Sequence, residues 1–241
     1  MLAKMLETAC SYAETAYAHL APAHRHYVAL YTACVLYAED LGARDPAAVA
    51  HFARRLIAGA PQLSPVFDRL AALLRGAHAL WTDAGADAII ASTLDALSAT
   101  ALEHAAGARG GMAVAPDATR WPYYLRTRAG GGPQYTHFMF MRGWRESPES
   151  YLQILPLSFY KEELVGERTN YVHLRAAAEQ ITPMEVLQRL TAEVLDTAER
   201  IERVVGDDLE LRDLWHQYKQ TYLEFTIRTP RYRMKELGVV P

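Results

Sequence analysis

The stretch Thr182-Pro183-Met184-Glu185-Val186-Leu187-Gln188-Arg189-Leu190-Thr191-Ala192-Glu193-Val194-Leu195 joins a helix start to a helical stripe. Threonine ahead of proline places a capping oxygen before a residue whose fixed φ suits the first helical position. Glu185 follows Thr182 at capping-box spacing, which lets side chain and backbone satisfy each other reciprocally. Beyond the cap, Val186, Leu187, Leu190, Val194 and Leu195 recur at three- and four-residue steps and form one apolar face.

The same pattern extends outward through the chain. Leu2, Met5, Leu6, Ala9, Tyr12 and Ala13 repeat the spacing, as do Phe52, Leu56 and Ile57, and then Leu70, Leu73 and Leu74. Asp45-Pro46 and Ser147-Pro148 repeat the capped start. Sustained period-two alternation bounded by hairpin turns is absent. The reading is all-α, with helices near 2–19, 23–42, 46–58, 63–77, 84–106, 119–129, 134–145, 148–166, 183–205 and 208–227. The breaks at Gly107–Pro116, Gly130–Pro133 and Thr229-Pro230 are too short and too apolar for linkers, so one domain is expected over 1–241. There is no internal repeat.

Composition narrows the class. Of 241 residues, 51% are hydrophobic, enough for a sizeable core and too many for a disordered chain. Lys+Arg number 25 against 28 Asp+Glu, a net charge of −3, which argues against a dedicated nucleic-acid binder. Two cysteines, Cys10 and Cys34, exclude a disulfide scaffold and an all-cysteine metal site. Both sit among Ala and Tyr and read as small core fillers in a reducing compartment. The most apolar stretches, Tyr27–Ala38 and Ala86–Leu94, fall short of the roughly 20 residues of a membrane span. Lys4 and Glu7 break the layout of a signal peptide, so a cytoplasmic protein is expected.

The chemistry-bearing stretch is Ile154-Leu155-Pro156-Leu157-Ser158-Phe159-Tyr160-Lys161-Glu162-Glu163, followed by Gly166-Glu167-Arg168. On a helix Ser158 and Glu162 stand one turn apart on one face, and their oxygens suit Mg²⁺. From spacing alone an ordinary amphipathic helix with a solvated Lys-Glu-Glu face is the better explanation of the pattern.

Ser-Phe-Tyr-Lys-Glu followed by Glu-Arg resembles the metal-binding helix of the trichodiene synthase family, the fungal class I terpene cyclases. That motif reads Asn-x-x-x-Ser-x-x-x-Glu. Ser158 and Glu162 match it, and Ile154 stands where the asparagine belongs. Arg231-Tyr232-Arg233 resembles the family's basic pyrophosphate-binding element, with Thr229 and Pro230 replacing an acid and an arginine. Tyr124-Leu125-Arg126-Thr127-Arg128 before Gly130-Gly131-Gly132 resembles the segment of the pyrophosphate-sensing arginine, which is either Arg126 or Arg128. Leu102-Glu103-His104 resembles the helix before it. The similarity runs from about residue 27 to about residue 237.

The resemblance implies a helical bundle around a central apolar cavity, acting on farnesyl diphosphate or a related prenyl diphosphate. Ser158 and Glu162 would be metal ligands. Arg231, Tyr232, Arg168 and Lys161 would hold the substrate's pyrophosphate, and Tyr37, Phe159, Arg126 and Arg128 would stand at the reacting end. A homodimer is implied as well. The sequence departs from the family where an aspartate-rich cluster should follow the apolar helix ending in Val35-Leu36. Tyr37 occupies the leading position, and Glu39 and Asp40 are displaced by two or three residues, most of a helical turn.

Ionising an allylic diphosphate requires neutralising charge on the leaving group, by Mg²⁺ or by arginines. The altered motifs therefore leave Mg²⁺ as the implied cofactor and a metal-free site as its alternative. In that alternative the same fold serves as a metal-independent cyclase, isomerase or pericyclase on a preformed apolar or polyene intermediate. A third reading is a non-enzymatic helical binder or assembly partner. Trp81, Phe138, Phe140, Trp144, Tyr151 and Trp215 join Tyr37 and Phe159 as candidates to line a cavity, although aromatics at helical spacing are more often core. Met139 and Met141 read as core filling. Among the nine histidines no zinc-ligand spacing appears, and His104 beside Glu103 is the best general-base candidate.

Overall fold

Capping chemistry opens the helices where the proline-led starts lie. Asp45 Oδ1 accepts from the Ala48 N–H at 3.2 Å ahead of Pro46. At Thr182 the full capping box closes: the Glu185 N–H donates to the threonine hydroxyl at 3.2 Å, and the Thr182 N–H donates to the Glu185 carboxylate at 2.8 Å. Ser64 caps a further start, accepting from the Phe67 N–H at 3.3 Å.

The computed structural model describes residues 2–115, 118, 120–129, 132–144 and 171–229. In chain order its helices are α1 (Leu2–Thr15), α2 (Pro22–Leu41), α3 (Pro46–Ile57), α4 (Pro65–Gly76), α5 (Asp83–Gly107), α6 (Trp121–Ala129), α7 (Gly132–His137), α8 (Tyr171–Glu179), α9 (Pro183–Val205) and α10 (Leu209–Arg228). Short 3-10 turns occupy Gly42–Arg44 and Ala77–Ala79. No strand occurs among the described residues, so the fold is all-α as the periodicity predicts. The helix expected over 148–166, with its start at Ser147-Pro148, lies outside the described residues.

α5 is the axis of the packing. It lies against α2, α3, α4, α6 and α7, and α2 in turn packs on α1 and α4. The sequence permits this because α5 is built mostly from Ala, Gly, Ser and Thr, with small residues along its buried side from Gly85 to Ala106 and an exposed stripe through Asp87, Ala91, Asp95 and Ser98 on the other. One apolar cluster gathers residues of α1 to α5, the turns after α7, and Ile201, Val205, Leu211, Leu214, Tyr218 and Phe225 of α9 and α10.

At its centre Phe138 meets Tyr31 edge-on with ring centroids 4.9 Å apart, Trp81 at 5.2 Å and Tyr135 at 5.6 Å. Trp81, Phe138 and Phe140 are fully buried core residues, as is Met139, while Trp144 and Trp215 are half-buried. Gly42 is required at the exit of α2, since a Cβ there would stand 2.8 Å from Val49 and 2.9 Å from His104.

The structure corrects three expectations. The helix expected over 134–145 ends at His137, and Phe138, Met139 and Phe140 are buried in the turns that follow. The chain turns there instead, and Arg142 fastens it by donating to the carbonyls of Trp81 at 3.1 Å and His78 at 2.8 Å. The second correction is α8, which the sequence reading leaves as a gap. It packs Tyr171, Val172 and Ala176 against Val186 and Leu190 of α9, and Arg175 bridges Glu179 at 2.7 Å and Glu193 at 2.8 Å. Third, Cys10 is exposed. Only Cys34 is a core filler, where burial pushes its thiol up to about 11. Among the described residues no helix is long and apolar enough to cross a membrane.

α9 and α10 are joined through Glu202. Its carboxylate accepts from Lys219 at 2.8 Å, Trp215 Nε1 at 3.0 Å and His216 at 2.9 Å. The Lys219 hydrogen bond, supported by His216 and Trp215 and opposed by burial, lowers the Glu202 carboxyl from its ordinary 4.5 to about 2. A depressed pKa stabilises the fold above the unfolded value, and that contribution is lost as pH falls through the folded value. In thermal melts from pH 7 to pH 2, the advantage of wild type over Glu202→Gln is expected to hold above about 4.5 and to vanish toward about 2. An equal difference at every pH would contradict the assignment. In denaturant titrations Phe138→Ala is expected to destabilise by about 3–5 kcal/mol, and Thr182→Ala, a cap loss, by about 1 kcal/mol.

Candidate active site

Arg128 is the best-positioned cation of the site predicted from the sequence. α6 is seated by buried Pro122 and Leu125, the latter packed with Ala99 of α5 and Leu174 of α8. From that base Arg128 donates to Asp95 of α5 at 2.7 Å and to the Tyr124 hydroxyl, with its guanidinium 5.3 Å from the Tyr124 ring centroid. Burial opposes its charge, but Tyr124 and Asp95 outweigh burial and raise its pKa. The side chains of Arg128 and Asp95 remain 31% and 55% exposed, so the pair contributes little to stability and mainly orients the guanidinium. Arg126 is half-buried on the same helix. Two residues of separation place it on a different side from Arg128.

Tyr37 lies elsewhere in the packing. It is half-buried on α2, edge-on to Phe67 with centroids 5.9 Å apart, and packs against Met5, Leu36 and Leu41. Glu39 and Asp40 near the end of α2 are exposed. Among the described residues no group of three or more His, Cys, Asp or Glu side chains is placed to hold a metal ion. Ser158, Glu162, Phe159, Lys161, Arg168, Arg231 and Tyr232 lie outside the described residues, as does Tyr151. His104 packs over Gly42 and approaches the Glu39 carbonyl at 3.4 Å, a structural placement for the residue favoured as a base.

Beside the aromatic centre lies a polar junction that the sequence reading does not identify. The hydroxyls of Tyr31 on α2 and Thr93 on α5 are 2.7 Å apart. Tyr135 of α7 donates to Thr32 of α2 at 3.1 Å, and Tyr17 donates to the Tyr135 carbonyl at 2.6 Å. Gln134, also on α7, is fully buried, and neither atom of its amide makes a hydrogen bond. His137 is buried on the same helix with Nδ1 unpaired, and burial lowers its imidazole to about 4. Buried polar groups without partners each cost roughly 1–3 kcal/mol, so such groups call for an explanation. The only signal in the sequence is a glutamine in a segment rich in aromatic residues.

No protein-family profile matches the chain. Among characterised proteins it is similar to terpene synthase 29 of Postia placenta, 29% identical over 249 residues that cover 98% of this chain and 72% of that protein. It is also similar to longiborneol synthase of Gibberella zeae, 30% identical over 232 residues that cover 88% of this chain and 67% of that one. A third relative, alpha-cuprenene synthase of Coprinopsis cinerea, is 27% identical over 223 residues. These are fungal proteins that match across most of the chain, and with the all-α fold they settle its kinship: the chain belongs to the terpene synthase family.

Proposed function

We propose that the chain is a terpenoid cyclase-like enzyme acting on farnesyl diphosphate or a related prenyl diphosphate, close in its motifs to trichodiene synthase. The observation that carries this reading is the seated guanidinium of Arg128, fixed by Asp95 and Tyr124 on a helix packed against α5. A planar cation fork held in advance suits a phosphate group and has little reorganisation left to undergo. Arg126, Arg168, Lys161, Arg231 and Tyr232 would add positive charge and hydrogen bonds at the leaving group. Ser158 and Glu162 would hold Mg²⁺, whose contribution is to neutralise charge on the departing diphosphate. An apolar, aromatic interior then excludes water and favours cationic intermediates through ring faces.

The expected outcome is pyrophosphate release from farnesyl diphosphate together with a cyclic terpene, with Arg128→Ala slowing release about 100-fold. Absence of both products from farnesyl and geranyl diphosphates would overturn the reading.

A second reading has Tyr37 in its favour. A phenol packed edge-on against Phe67 occupies the place of the leading carboxylate, and Ile154 replaces the asparagine. In this reading the fold guides a metal-independent cyclisation, isomerisation or pericyclic step on a preformed polyene. Turnover of a non-phosphorylated polyene that survives EDTA is its expected signature, and an absolute Mg²⁺ requirement would exclude it.

A further inference from the structure

Ile57, at the end of α3, is the most exposed large apolar side chain of the described residues, at 80%. Leu63, in the connection to α4, is 44% exposed. Neither joins an apolar cluster of the interior among the described residues. Single exposed apolar residues are ordinary, but these two stand on a fastened corner. α3 closes with two backbone bonds: the Ala60 N–H donates to the Arg55 carbonyl at 2.9 Å and the Gly59 N–H to the Leu56 carbonyl at 3.1 Å. Gly59 takes the φ of +64° that this closure requires. Arg55 Nε then donates to the Pro61 carbonyl. Gln62, itself buried, donates its N–H to Asp68 at 2.8 Å and its amide to the Phe52 carbonyl at 3.4 Å. Ile57 and Leu63 are therefore presented to solvent by a backbone that is already fixed.

The charge around the corner is mostly of one sign. Residues 41–80 carry Arg44, Arg54, Arg55, Arg69 and Arg75 against only Asp45 and Asp68, in a chain whose net charge is −3. Both aspartates are turned on backbone N–H groups, Asp45 on Ala48 and Asp68 on Gln62. Arg54 in the last turn of α3 and Arg69 in the second turn of α4 are exposed and pair with no acid among the described residues.

We propose that the α3–α4 corner docks the protein on an anionic membrane surface, with Ile57 and Leu63 entering the apolar layer and Arg54, Arg55 and Arg69 meeting the headgroup phosphates. A stable protein partner needs about 800 Å² of matched surface on each side. A fluid bilayer takes up a small apolar tip without matched shape, and its hold grows with the apolar area buried and with the arginines near anionic headgroups. Because the corner is tied before it binds, little ordering remains to oppose docking. The proposal does not rest on the prenyl diphosphate reading, and no residue given a role there lies between Arg54 and Arg69.

The test mixes the full chain, without substrate, with vesicles of phosphatidylcholine alone and of phosphatidylcholine with phosphatidylserine, and reads the bound fraction by co-sedimentation. Binding to the phosphatidylserine vesicles is expected to be at least about ten-fold stronger than to the neutral ones and to weaken as salt is raised. Ile57→Asp and Arg54→Glu are each expected to lower it about ten-fold, with thermal melts unchanged because both side chains are exposed. Ile57→Phe, which keeps an apolar tip, is expected to keep the binding, and Leu63→Asp gives a second reading of the tip should the melt of Ile57→Asp differ. Equal recovery with the two kinds of vesicle, or binding that survives both Ile57→Asp and Leu63→Asp, overturns the proposal. So does a concentration-dependent dimer in sedimentation velocity that Ile57→Asp abolishes, which makes the corner a protein interface instead.

Discussion

The side of α5 that faces the core must satisfy each of its polar groups inside the protein. Its threonines meet this demand by turning inward on their own backbone: Thr93 donates to the Ile89 carbonyl and Thr100 to the Ala96 carbonyl at 2.9 Å. Small residues let α2, α3, α4, α6 and α7 approach the same axis, so positions far apart in sequence converge on it. The seating of Arg128 by Asp95 and the contact of Tyr31 with Thr93 are both consequences. Each joins α5 to a neighbouring helix, α6 in the first case and α2 in the second.

Local chemistry was readable and long-range pairing was not. Asp45-Pro46 and Thr182-Pro183 announce their helices because a cap is a property of four adjacent residues. The end of α7 was unreadable, since burying Phe138, Met139 and Phe140 together depends on Trp81 and Tyr31 arriving from elsewhere. α8 escaped notice for a similar reason: its helical state relies on α9 and on the Arg175 bridges.

The candidate site divides the same way. Arg126 and Arg128 could be singled out from Tyr124-Leu125-Arg126-Thr127-Arg128, but the partner that distinguishes Arg128 lies 33 residues away. Tyr37 was visible as a departure from a motif, and its packing against Phe67 gives the departure a physical setting. Gln134 had almost no signal, because a lone polar residue in a segment rich in aromatic residues looks like an exposed one until its neighbours are known.

The two cysteines give the protein a built-in clock. Cys10 stands in solvent on α1, whereas Cys34 is enclosed on α2, its thiol directed to the Val66 carbonyl at 3.6 Å. A thiol reagent reacts with the first at the intrinsic rate of an exposed thiol and with the second only when the α2 and α4 contact parts. The ratio of the two labelling rates therefore measures how often the interior opens, without any introduced probe.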